Sequence, residues 1–78
     1  MLSDSTVRWR CRRGKKELDV LLTRFLEQHL RSMNNAERAA FERLLALEDE
    51  DLMDLIFGRR HSDDADAVTV LARLAGGA

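Results

Sequence analysis

Seventy-eight residues and 8.9 kDa leave room for one small domain, because a second hydrophobic core needs roughly 50 residues of its own. Hydrophobic residues at 45% and charged residues at 35% exclude a disordered tail, and a single Cys excludes a disulfide framework. The net charge of −1 conceals a strongly uneven distribution.

Arg8, Arg10, Arg12, Arg13, Lys15 and Lys16 place six cations in nine residues, whereas residues 17–78 hold seven bases against thirteen acids. A body of that sign repels nucleic acid and anionic membranes, so the basic segment is a local feature and no nucleic-acid partner is expected. Membrane insertion is not expected either, since no apolar run approaches the ~20 residues of a spanning helix. The scaling of surface with mass gives roughly 4,800 Å² folded from about 12,900 Å² unfolded, a real but thin core. One Cys fits a reducing compartment, and the expected location is cytoplasmic. The Arg-rich start has the composition of a mitochondrial presequence, but Trp9 and Cys11 lie inside it and it runs directly into a helical pattern.

Apolar residues recur at helical spacing throughout, which predicts an all-α, compact five-helix bundle forming a single domain over residues 1–78, with an ordered core over 4–75. A first helix is predicted over 4–13, capped by Ser3 or Asp4, with Val7, Cys11 and Trp9 turned inward. Gly14 interrupts it. The second helix, over 15–32, carries Leu18, Leu21, Leu22, Phe25, Leu26, His29 and Leu30 on one broad stripe and reads as the spine of the bundle. Asn34 followed by Glu37 is a capping-box variant that opens a third helix, with Phe41, Leu44 and Leu45 on its apolar face and an end near Leu47. Glu48, Asp49, Glu50 and Asp51 then cluster where negative charge favours a helix start, and Gly58 is placed to end that fourth helix. Ser62 or Asp63 caps a fifth helix along Ala67, Val70, Leu71 and Leu74, and Gly76-Gly77 frays its end.

Groups that could converge for catalysis are few. Cys11, His29 and His61 are the side chains of the classes that act as nucleophile or neutral-pH base. Arginines around Cys11 would lower its pKa if it were exposed, but a small buried thiol is the reading its place on the first helix favours. No second ligand stands three or four residues from His29 to make a metal pair, and the acidic run has Asp54 where a calcium loop requires Gly. Arg8, Arg10, Arg12 and Arg13 with Trp9 suit phosphate contacts and base stacking, yet at helical spacing they do not form one stripe. A docking surface for an acidic protein is the other use of such a segment, because the guanidinium fork binds carboxylates in pairs.

The stretch from Trp9 to Asp19 is the most informative. Arg13-Gly14-x-x-Glu17 matches the Arg-Gly-x-x-Glu motif, and the chain resembles the small bacterial factors that help the flavoprotein subunit of succinate dehydrogenase acquire covalent FAD. Leu18-Asp19 continues the pattern, Trp9 takes the aromatic position before the motif, and Phe25-Leu26-Glu27, Phe41-Glu42-Arg43-Leu44-Leu45 and Asp51-Leu52-Met53-Asp54 with Gly58 match successive helices. The resemblance spans residues 8–74, with two departures: Lys15 where the family has Met, and Leu55 where it has Trp.

That resemblance implies a non-enzymatic assembly factor whose client is the flavoprotein subunit of succinate dehydrogenase or fumarate reductase. It implies a partner-binding site at Trp9, Arg12, Arg13, Gly14, Lys16, Glu17 and Asp19, no catalytic residue, no bound metal, and FAD held by the client rather than by this chain, which is expected to be a monomer. The antitoxin half of a toxin–antitoxin pair is the alternative the resemblance offers, and a small nucleic-acid-binding protein is the alternative the basic segment offers. Two local geometries stay open for the motif. On a continuous helix Arg13 and Glu17 would share a face, whereas with Gly14 as N-cap Glu17 would bond back to the cap.

Overall fold

Five helices form in the order the apolar spacing predicts: α1 (Asp4–Arg10), α2 (Lys16–His29), α3 (Asn35–Leu45), α4 (Asp49–Ile56) and α5 (Ala65–Gly76). They are seen in a computed structural model that describes residues 1–76, so Gly77 of the expected frayed end lies outside the described residues. The surface of 4903 Å² is close to that expected from mass alone.

Local chemistry explains most of the boundaries. Ser3 accepts the Thr6 N–H and opens α1, as its position in sequence suggested. The helix stops at Arg10 instead of running to 13, because Cys11 is its cap residue and the Arg13 N–H is taken by the Asp19 carboxylate rather than by a helical carbonyl. Trp9 is consequently 69% exposed, not turned inward, while Val7 and Cys11 do enter the core. At α3 both halves of the capping box form, with the Glu37 N–H donating to Asn34 Oδ1 at 2.8 Å and the Asn34 N–H to Glu37 Oε1 at 3.0 Å. Asp49, Glu50 and Asp51 occupy the first turn of α4, and Gly58 follows that helix at φ +77°, where a side chain would be strained.

The start of α5 differs by one residue from expectation. Asp64, not Ser62 or Asp63, caps it, with Oδ1 accepting from the Asp66 and Ala67 N–H groups at 3.0 and 3.3 Å. A second anchor selects Asp64: Arg43 of α3 reaches its other oxygen at 2.5 Å. That hydrogen bond, with the Ala67 N–H, holds the Asp64 carboxyl below its ordinary range. Ser62 supports the turn by accepting the Asp64 N–H at 3.1 Å.

Leu18, Leu22, Phe25, Phe41, Leu52, Val70 and Leu74 are buried at the centre, and the Phe25 and Phe41 rings tilt against each other at 4.9 Å between centroids. The helix around which the rest gathers is α5, which packs on α2, α3 and α4, so the spine is α5 and not the longer α2. The reason is composition. The apolar stripe of α5 is small and continuous, which lets several neighbours approach. No described helix is long and apolar enough to cross a membrane.

Candidate docking site

The segment between α1 and α2 is short and tightly held. Cys11 is buried, which draws the chain inward just after α1, and the Arg12 N–H bonds back to the Trp9 carbonyl at 3.1 Å. Lys15 then takes an extended conformation and is the N-cap of α2, with its carbonyl accepting the Asp19 N–H at 3.0 Å. Neither open geometry of the motif is therefore the observed one. Arg13 precedes α2 and shares no helix face with Glu17, and Glu17 is the second residue of α2 rather than the third, with no side-chain cap bond there.

Arg13 faces the protein. Its Nε donates to Asp49 Oδ1 at 2.7 Å, its Nη1 to the Leu45 carbonyl at 2.8 Å and the Arg10 carbonyl at 3.3 Å, and its Nη2 to the Leu47 carbonyl. The Leu45 and Leu47 carbonyls lie at the end of α3, where helical partners run out, so the guanidinium satisfies acceptors that the helix leaves orphaned. Asp19 is equally committed, since its carboxylate holds the Arg13 N–H. Lys15 pairs with Glu50 Oε1 at 3.0 Å, and that hydrogen bond raises the ammonium pKa.

Gly14, Lys16 and Glu17 are exposed. Gly14 is a glycine that the fold does not require. Its φ is not positive, and a Cβ built there meets its nearest neighbour, Asp49 Oδ2, at an ordinary 3.8 Å. Beside it Trp9 stands in solvent with the Arg12 guanidinium stacked 5.7 Å from its ring centroid. Trp9, Arg10, Arg12 and Gly14 line one open recess floored by Arg13, Leu45 and Asp49. The recess offers a partner an aromatic face, exposed backbone and guanidinium donors.

The titratable groups elsewhere are differently placed. Burial pushes the Cys11 thiol up from 9.0 to about 11, against the pull of Arg13 and Arg8 and with a smaller push from Asp19, so it stays protonated at neutral pH. The His29 ring lies 5.0 Å from that of Phe25, and His61 is exposed beyond α4. No group of three or more His, Cys, Asp or Glu side chains with metal-binding geometry occurs among the described residues. Sequence reasoning missed Asp49 and the orphaned carbonyls of α3. The available signal was the match of the basic segment to the acidic run at 48–51, read there as a helix-dipole feature alone.

The family model described as flavinator of succinate dehydrogenase matches residues 5–77. The chain belongs to this family. Relatives include a FAD assembly factor SdhE of Coxiella burnetii, 34% identical over 94% of this chain and 89% of its own. The FAD assembly factor SdhE of Methylococcus capsulatus is 38% identical over 85% of this chain and 80% of its own, and that of Aliivibrio fischeri is 40% identical over 74% and 67%. No solved structure matches the chain. The resemblance in the Arg13-Gly14-x-x-Glu17 segment thus extends over nearly the whole chain, and Lys15, the departure within the motif, is the residue paired with Glu50.

Proposed function

We propose that the protein is a non-enzymatic assembly factor that docks on the flavoprotein subunit of succinate dehydrogenase, or of fumarate reductase, and promotes its covalent attachment of FAD. Family membership supports the client class. The structural observation that carries the docking reading is Gly14: neither backbone conformation nor crowding explains a glycine there, whereas close approach of a partner does. Gly14 with Trp9, Arg12, Lys16 and Glu17 forms the contact surface, while Arg13 and Asp19 hold its shape.

Mechanistically, the attacking side chain and the flavin both belong to the client, and this protein supplies position. Holding a nucleophile in near-attack geometry removes several kcal/mol from a barrier without a group of its own taking part, which suits a recess lined by donors and an aromatic ring. The protein acts as a monomer in the cytoplasm, without a bound cofactor of its own.

In-gel flavin fluorescence of the purified flavoprotein subunit, incubated with FAD with and without this protein, tests the reading. The expected result is covalent flavin that appears faster with the wild-type protein and not with Gly14→Arg, whose long side chain would occupy the space a partner enters. Equal flavinylation with and without the wild-type protein would remove the function.

A further inference from the structure

Arg13 lies among the docking residues in sequence, yet its side chain is only 11% exposed and serves acceptors from three places in the chain. These are the Arg10 carbonyl at the end of α1, the Leu45 and Leu47 carbonyls at and beyond the end of α3, and the Asp49 carboxylate in the first turn of α4. A guanidinium has five N–H donors, and four are engaged in these bonds, leaving one for any partner. Of the acceptors only Asp49 is charged. Its carboxylate also lies beneath Gly14, with Oδ2 3.8 Å from where a Cβ at that position would stand. The neighbouring Lys15–Glu50 pair is of a different kind, exposed at both ends and therefore of little energetic weight.

We propose that Asp49 is a positioning residue for client docking and acts through Arg13. The pair fastens the loop of residues 11–15 onto the corner between α3 and α4, so that the Gly14 backbone and the Trp9 ring stand at fixed places around the recess they share. Arg13 then contributes to docking by shape, and the guanidinium groups left to meet the client are Arg10 and Arg12, which line the same recess. The assignment rests on the docking function proposed above. Pulling Arg13 outward to a partner would strip Asp49 and the Arg10, Leu45 and Leu47 carbonyls of this donor together, which opposes a direct role.

A double-mutant cycle tests this, with affinity for the purified flavoprotein subunit measured at a temperature where circular dichroism shows every variant folded. Asp49→Ala and Arg13→Ala are each expected to weaken binding about tenfold or more, and the double variant no more than the weaker-binding single, as residues acting as one unit do. Glu50→Ala, which removes the next acid without touching Arg13, should stay within about twofold of wild type, in keeping with the small weight of exposed pairs. Wild-type affinity in Asp49→Ala beside lost affinity in Arg13→Ala would overturn the proposal, as would losses that multiply in the double variant.

Hydrogen exchange of the free proteins supplies a readout that needs no client. Asp49→Ala should speed exchange in residues 11–15 and 46–49 while the core amides of α2 and α5 keep wild-type rates, and a loosened loop with unchanged affinity would sink the positioning role. Should Asp49→Ala not fold, Asp49→Asn and Arg13→Lys decide. The Asn variant keeps an oxygen for Nε and should bind near wild type, whereas Lys keeps the charge without the fork and should bind poorly. The reverse order would assign Arg13 a direct ionic contact with the client. A wild-type protein that fails to bind the subunit, with loop exchange still protected, would instead overturn the functional reading and the positioning role built on it.

Discussion

Gly14 and Gly58 are glycines for different reasons, and their substitution should separate fold from function. At Gly58 the φ of +77° is a conformation that L side chains avoid, so Gly58→Ala should cost about 1–2 kcal/mol in chemical denaturation. At Gly14 nothing in the protein opposes a methyl group, and Gly14→Ala should raise stability by about 0.4–1 kcal/mol by restricting the unfolded chain. A loss of stability in Gly14→Ala would mean that the fold itself needs this glycine and would weaken the docking reading. Cys11 is read by pH. Because its folded pKa is raised from 9.0 to about 11, the folded state keeps a proton that the unfolded state loses, and stability should fall as pH rises through that window. The slope is up to about 1.4 kcal/mol per pH unit, and Cys11→Ala should lack it. Identical pH profiles for the two proteins would show that the thiol is not desolvated.

At the scale of elements, the helices are secured at their starts by side chains that the sequence displays openly. Asn34→Ala removes one half of the capping box and should lower stability by about 1 kcal/mol, with faster exchange in the first turn of α3. An unchanged unfolding midpoint would show the Glu37 half to be sufficient. Glu37 itself is buried because it does two things at once, accepting the Asn34 N–H and pairing with Arg73 of α5 at 3.0 Å. The interruption between α1 and α2 obeys another logic. There the Arg13 N–H donates to Asp19, and the Arg13 guanidinium donates to Asp49 and to the Leu45 carbonyl at the end of α3, 36 and 32 residues away in sequence.

For the whole molecule, the consequence of 78 residues is a small margin. At roughly 0.05–0.15 kcal/mol per residue the net stability is about 4–12 kcal/mol, and Phe41, fully buried against Phe25, supplies a large share of it. Phe41→Ala should cost about 3–5 kcal/mol and leave the protein partly unfolded near physiological temperature, measured by thermal denaturation. A melting temperature within a few degrees of wild type would mean that the core collapses around the vacancy. The same margin explains why the recess is open: a chain this short has no second layer with which to enclose a site.

Helix number, order and most of the core were legible in the amino-acid sequence, because burying an apolar face at a period of 3.6 residues is a local demand that Leu18, Leu22, Phe25, Phe41, Leu52 and Leu74 meet by spacing alone. The capping box at Asn34 and the stop at Gly58 were legible for the same reason, since both act within a few residues. The end of α1 at Arg10, the exposure of Trp9, the choice of Asp64 as a cap and the central place of α5 were not. The last two depend on partners distant along the chain, Arg43 for Asp64 and three other helices for α5, as does the inward turn of Arg13 to Asp49. In contrast, α1 ends where Asp19 takes the Arg13 N–H. Sequence by itself marked Arg13, Gly14 and Glu17 as a unit, and only tertiary structure parted them, because which way an arginine turns is decided by where its acceptors are brought together in space.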